Sequence, residues 1–104
     1  MELRFTPEAL AQLAARRTWW QANRADAVGA FDEELDEALA AISARGASLP
    51  VAVRRGGREV RRVLLPRVRC HVYFEVVESA DTLVVVAAWG AQMRRLPPLA
   101  KVKA

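Results

Sequence analysis

Histidine and cysteine are almost missing from this chain of 104 residues: His71 and Cys70 are the only ones. A single cysteine excludes an internal disulfide, and its place in a β-rich run reads as a buried thiol rather than a nucleophile. One histidine and one cysteine at neighbouring positions fall short of a zinc set, and neighbours on a strand point to opposite faces, so no metal is expected. No cofactor is expected either. There is no glycine-rich phosphate loop, the Gly56-Gly57 pair alone reads as a turn, and no Ser/His/Asp arrangement is legible. The longest wholly apolar run, Leu83–Trp89, is far too short to cross a bilayer. The opening MELRFTPEAL lacks the basic-then-apolar pattern of a secretory signal. The expectation is a cytoplasmic protein with no membrane partner.

What is present is a globular composition, 53% hydrophobic and 27% charged, in a length that suits one domain. The net charge of +4 is unevenly spread. Residues 1–46 carry five arginines against eight acids, a balance of −3; residues 47–104 carry nine arginines and two lysines against four acids, a balance of +7. The second half is therefore the surface expected to meet an anionic partner. Its cations are mostly arginine, whose forked guanidinium suits phosphates and carboxylates.

Glu2–Phe5 alternates polar and apolar residues, a short strand. Thr6-Pro7-Glu8 then opens a helix as cap, first-turn proline and dipole-matched acid. Leu10, Leu13, Ala14 and Trp20 lie near one of its faces, and it runs to about Ala22. A second helix starts near Arg24–Asp26. Val28, Phe31, Leu35, Leu39 and Ile42 form its apolar stripe, and Gly46 closes it after Arg45. Ala47–Arg58, with Pro50 and Gly56-Gly57, reads as a connector. Val60–Leu65, Val68–Val77 and Leu83–Trp89 are rich in β-branched and aromatic residues and too closely spaced for crossover helices, so an antiparallel meander is expected. The fold class is α+β: a short N-terminal strand and an antiparallel helical hairpin packed on a three- to four-stranded, mainly antiparallel sheet. One sheet face packs on the helices; the other is expected to stay open, with arginines gathered on it. Residues 1–96 form the domain, and 97–104, beginning at Pro97-Pro98, form an extended basic tail.

Two groups of side chains could carry function. His71, Tyr73 and Glu75 fall at alternate positions of one strand and share a face. With Arg61, Arg67 or Arg69 beside them, they would supply the proton donor, proton acceptor and phosphate holder that RNA cleavage requires. A purely structural role, with Glu75 paired to a cross-strand arginine, fits the same pattern. In Trp19-Trp20 adjacent helical positions lie roughly 100° apart. One ring therefore faces the core and the other the hairpin edge, where a partner can cover it.

Together these stretches resemble the ParE/RelE superfamily of type II toxins. The likeness rests on Val60-Arg61-Arg62-Val63-Leu64-Leu65, His71-Val72-Tyr73-Phe74-Glu75-Val76 and Val84–Trp89 followed by Gly90-Ala91-Gln92-Met93-Arg94-Arg95, with Phe5–Ala15 as the opening strand and helix. The resemblance implies a helical hairpin on a small sheet and a cognate antitoxin that wraps the toxin. It implies one of two activities: ParE-like binding and inhibition of DNA gyrase, or RelE-like cleavage of mRNA on the ribosome. The family pattern has a histidine after the tryptophan, where this chain has Gly90, and neither His nor Tyr follows Tyr73. That departure favours the non-catalytic, gyrase-binding branch. Expected target contacts are Trp89, Arg94 and Arg95, then Arg61 and Arg62. Expected antitoxin contacts are Trp19, Trp20, Arg67 and Arg69. In the nuclease alternative Arg61, Arg67 and Arg69 hold phosphate while His71 or Tyr73 moves protons.

Overall fold

The computed structural model describes residues 1–93 and 95–99. Its strands are β1 (Glu2–Phe5), β2 (Val51–Arg55), β3 (Arg58–Leu65), β4 (Cys70–Val77) and β5 (Thr82–Gly90); its helices are α1 (Pro7–Asn23) and α2 (Val28–Arg45). They form one sheet in the order β1-β5-β4-β3-β2. β2 to β5 make an antiparallel meander, and β1 joins its β5 edge in parallel, Glu2 opposite Thr82 through Phe5 opposite Val85. The α+β architecture is the expected one. The sheet is one strand wider, because Val51–Arg55, read from sequence as connector, pairs with β3. Gly56 (φ +57°) and Gly57 (φ +79°) close that hairpin with the two left-handed residues that a tight, twist-matched turn requires.

The Thr6 hydroxyl accepts the Ala9 N–H at 3.1 Å and caps α1, with Pro7 in the first helical position. Phe31, Ala38 and Ile42 of α2 are buried, with Leu35 and Leu39 at their flanks. Together with Ala9 and Leu13 of α1 they cover Leu65, Cys70, Val72, Phe74, Leu83 and Val85 on one side of the sheet. The hairpin is pinned outside by a two-bond bridge from Arg17 to Asp32, at 2.8 and 2.9 Å.

Glu34 falls inside the buried stripe of α2. Its carboxylate accepts the backbone N–H groups of Arg67 (3.0 and 3.2 Å) and Val68 (3.2 Å). Charge is thus buried where it replaces the hydrogen bonds the β3–β4 turn cannot make for itself. That fixes the turn to α2.

Gly46 does not end α2 in the left-handed conformation expected of a glycine stop. It stays right-handed (φ −52°) and leads into a short 3-10 turn, Gly46–Ser48. Its need is space: a Cβ there would lie 2.9 Å from Leu83 Cδ2 and 3.1 Å from Phe74 Cε2. Gly46→Ala therefore sets overpacking of about 1–3 kcal/mol against a helix-propensity gain of about 1 kcal/mol. The expected result is a net loss of stability, read as a lower urea midpoint.

The second sheet face carries its own apolar cluster: Val53, Val60, Tyr73, Val84, Val86 and Ala87, flanked by Val77, Trp89 and Leu99. This face was expected to stay open, but the chain after β5 returns to it and covers part of it. Pro97 is completely buried and Leu99 packs on the cluster. The Arg58 guanidinium donates to the Leu99 carbonyl at 3.3 Å. Residues 95–99 form neither helix nor strand.

Candidate functional site

Period two along the strands decides which side chains meet. Arg62 of β3 lies opposite Tyr73 of β4, and His71 lies between Leu64 of β3 and Trp89 of β5. All five share the second sheet face, at the end nearest the β3–β4 turn. The Arg62 guanidinium stands 6.0 Å from the centre of the Tyr73 ring and reaches its hydroxyl at 3.4 Å. The His71 and Tyr73 rings meet edge to face at 5.9 Å. Beyond β5 the chain turns back and places the Arg95 guanidinium 5.6 Å from the Trp89 ring centre, while the Trp89 indole N–H donates to the Arg95 carbonyl at 3.2 Å. The result is a row of rings, Tyr73, His71 and Trp89, with a cation at each end.

Its electrostatics follow from that order. Burial and the nearby Arg62 charge both hold His71 below its ordinary pKa of 6.5, so the imidazole is neutral at pH 7. The unfolded chain then takes up this proton at a higher pH than the folded one, so acidification through 6.5 and below costs stability that is fully present above it. His71→Gln is expected to flatten that acid-side fall in melting temperature, measured from neutral pH downwards on both proteins.

The rest of the expected nuclease set lies elsewhere. Arg61, one residue from Arg62, points to the helix side and donates to the Leu49 carbonyl. Arg67 is exposed on the β3–β4 turn, 3.7 Å from Glu33 of α2. Arg69 sits in a left-handed conformation (φ +55°), its carbonyl taking the Ala91 N–H at 2.8 Å, and it lines a hollow together with Arg16, Trp19 and Trp20 of α1. Glu75 shares a face with His71 and Tyr73, but Arg58 grips both its oxygens, at 2.9 and 2.6 Å. The arginines are thus divided between sides of the molecule rather than gathered on one. Among the described residues, Arg62 and Arg95 alone stand beside the rings, and Arg94 lies outside them. Trp19 and Trp20 meet edge to face at 5.3 Å on α1, Trp19 exposed and Trp20 packed against the core. Among the described residues no group of three or more His, Cys, Asp or Glu could hold a metal. Burial pushes the Cys70 thiol upward in pKa, with the Arg16 charge pulling partly back.

The chain superposes with a TM-score of 0.71 on a chain of the chromosomal ParDE TA system from P. aeruginosa. The two share a fold. The match covers 88% of this chain and 97% of the other, at 17% identity. No protein-family model and no curated protein matches the sequence. No described helix is long and apolar enough to cross a membrane.

Sequence reasoning missed Arg58, Arg16 and Glu34. The signal for Arg58 was its position, cross-strand and on the same face as Glu75. The other two gave none, since their partners lie far off in sequence.

Tyr73 is buried, but the half-buried His71 and Trp89 rings offer flat apolar surface, and the exposed guanidinium at each end offers a fork for phosphate or carboxylate. That combination suits a macromolecular surface carrying both anionic and planar groups.

Proposed function

We propose that this chain is the toxin of a type II toxin–antitoxin pair, ParE-like in action: it binds DNA gyrase in the cytoplasm, blocks supercoiling and is neutralised by a cognate antitoxin. The reading is carried by the fold likeness over 97% of a chain from a ParDE system. The aromatic–guanidinium row supports it by supplying a contact surface without the full set for RNA cleavage. Trp89, Arg95 and Arg62 make the target contact, with Arg94 beside them in sequence. Arg61 is withdrawn from that role by its bond to Leu49.

The test is direct. Purified protein added to gyrase and relaxed plasmid is expected to reduce supercoiling, and induction in cells is expected to give filaments and a DNA-damage response. Supercoiling indifferent to excess protein overturns the reading.

One observation favours the second activity, ribosome-dependent mRNA cleavage: a neutral His71 stands next to Tyr73 and Arg62. Primer extension on ribosome-bound mRNA separates the two. Discrete cuts that vanish in Tyr73→Phe assign the chain to the nuclease branch.

A further inference from the structure

β5 is longer than the strand beside it. β1 pairs only with Thr82–Val85, so among the described residues Val86–Gly90 has no strand on that side. α1 runs past instead. Its residues Gln12, Ala15, Arg16 and Trp19 recur at three- and four-residue steps and line a hollow of about 340 Å³ against Ala88 and Gly90. The Gln12 side chain takes the Ala88 N–H at 2.8 Å, in place of a neighbouring strand. A second hollow of about 490 Å³ adjoins the first through Arg16, Trp19, Gly90 and Met93, and adds Trp20 and Arg69.

This groove is basic and apolar together. Trp19 is 50% and Met93 48% exposed, large apolar side chains left half in water. Arg16 and Arg69 both line the larger hollow, and neither is ion-paired to an acid among the described residues. No described residue lining either hollow is acidic. Gly90 makes the arrangement fit: a Cβ there would lie 2.1 Å from Arg16 Nη2, so only a glycine lets this guanidinium lie against the end of β5.

We propose that the groove between α1 and the end of β5 seats an acidic, apolar-anchored segment of a protein partner, with a carboxylate taken by Arg16 and Arg69 and an apolar side chain laid on Trp19 and Met93. The ligand chemistry is complementary on both counts: guanidinium forks for carboxylate, exposed rings for hydrocarbon. A protein segment fits better than a nucleic acid, because two cations in an apolar trough do not track a phosphate backbone. Taking that partner to be the antitoxin rests on the reading above; the chemistry of the groove does not.

The probe is a fluorescein-labelled octapeptide alternating leucine and glutamate, followed by anisotropy, beside leucine–glutamine and leucine–lysine versions and an octathymidylate. The glutamate peptide is expected to bind, the lysine peptide not. Arg16→Gln and Arg69→Gln are each expected to weaken binding by about tenfold, and Arg54→Gln on the opposite edge strand β2 to leave it unchanged. Gly90→Ala guards against a folding artefact: it displaces only the flexible side chains of Arg16 and Met93, both part of the groove, so the protein melts normally and binding falls. No binding of the glutamate peptide, equal binding of all three peptides, indifference to the arginine variants, or preference for octathymidylate overturns the proposal. Growth on induction is scored separately. Specific binding without growth arrest upholds the groove and rejects the toxin reading; arrest without peptide binding rejects the groove alone.

Discussion

Trp89→Ala with Arg95→Ala is expected to abolish growth arrest on induction while leaving a folded protein. Trp89 is where the row of rings meets the returning chain. Its indole N–H holds the Arg95 carbonyl and its ring carries the Arg95 guanidinium. Truncating the pair removes a broad planar surface and a charge held ready over it, and also frees the segment that carries the charge. Buried aromatic and arginine anchors at protein contacts are typically worth about 2 kcal/mol or more each, roughly thirtyfold in affinity. Because Trp89 also packs on the second apolar cluster, the comparison needs Trp89→Phe, which keeps most of that packing and loses the N–H. The phenylalanine variant is expected to arrest growth partially and to melt near the parent. Equal toxicity in all three proteins would remove Trp89 and Arg95 from the target surface.

Arg58→Ala is expected to cost about 3 kcal/mol of stability, because it strands a buried carboxylate. Glu75 is 8% exposed, and Arg58 grips both its oxygens from the next strand while reaching the Leu99 carbonyl with its remaining arm. The hydrogen-bonded carboxylate raises the Arg58 pKa against the opposing effect of burial. What matters is the difference between removing one partner and removing both. A buried pair returns through mutual attraction roughly what its desolvation costs, so replacing both groups with apolar residues of similar volume is often neutral. Arg58→Met with Glu75→Leu is therefore expected to melt close to the parent, far above Arg58→Ala. Because Arg58 also ties the returning chain to the sheet, the double variant is expected to lose protection from proteolysis near Leu99 even where its melting temperature holds. If the single and double variants are equally destabilised, the pair contributes net stability and the explanation by stranded charge is wrong.

The meander was legible because Val60–Leu65, Val68–Val77 and Leu83–Trp89 announce themselves through β-branched runs and short turns. β2 was not, since Val51 and Val53 are too few to show a period between Pro50 and Gly56. The site was half legible. Alternation put His71, Tyr73 and Glu75 on one face, whereas Trp89 came only from the resemblance, and the same alternation already separates Arg61 from Arg62 by one sheet face. Net charge could not reveal that division, because it counts arginines without placing them. The left-handed backbone at Arg69 and the buried Glu34 depend on contacts made across the fold, with no trace in local pattern. The departure at Gly90 was visible as a missing histidine. Its physical meaning needed coordinates: the space belongs to Arg16, arriving from α1.

The central claim is that the far sheet face, at its Trp89 end, is where this protein meets its target. Arginine side-chain Nε–H signals report on it directly as purified gyrase is added to labelled protein. The account predicts that the signals of Arg62 and Arg95 broaden first, while Arg17 and Arg54, each bound to an acid elsewhere on the surface, stay sharp. Broadening of Arg17 and Arg54 with Arg62 and Arg95 unmoved would contradict it.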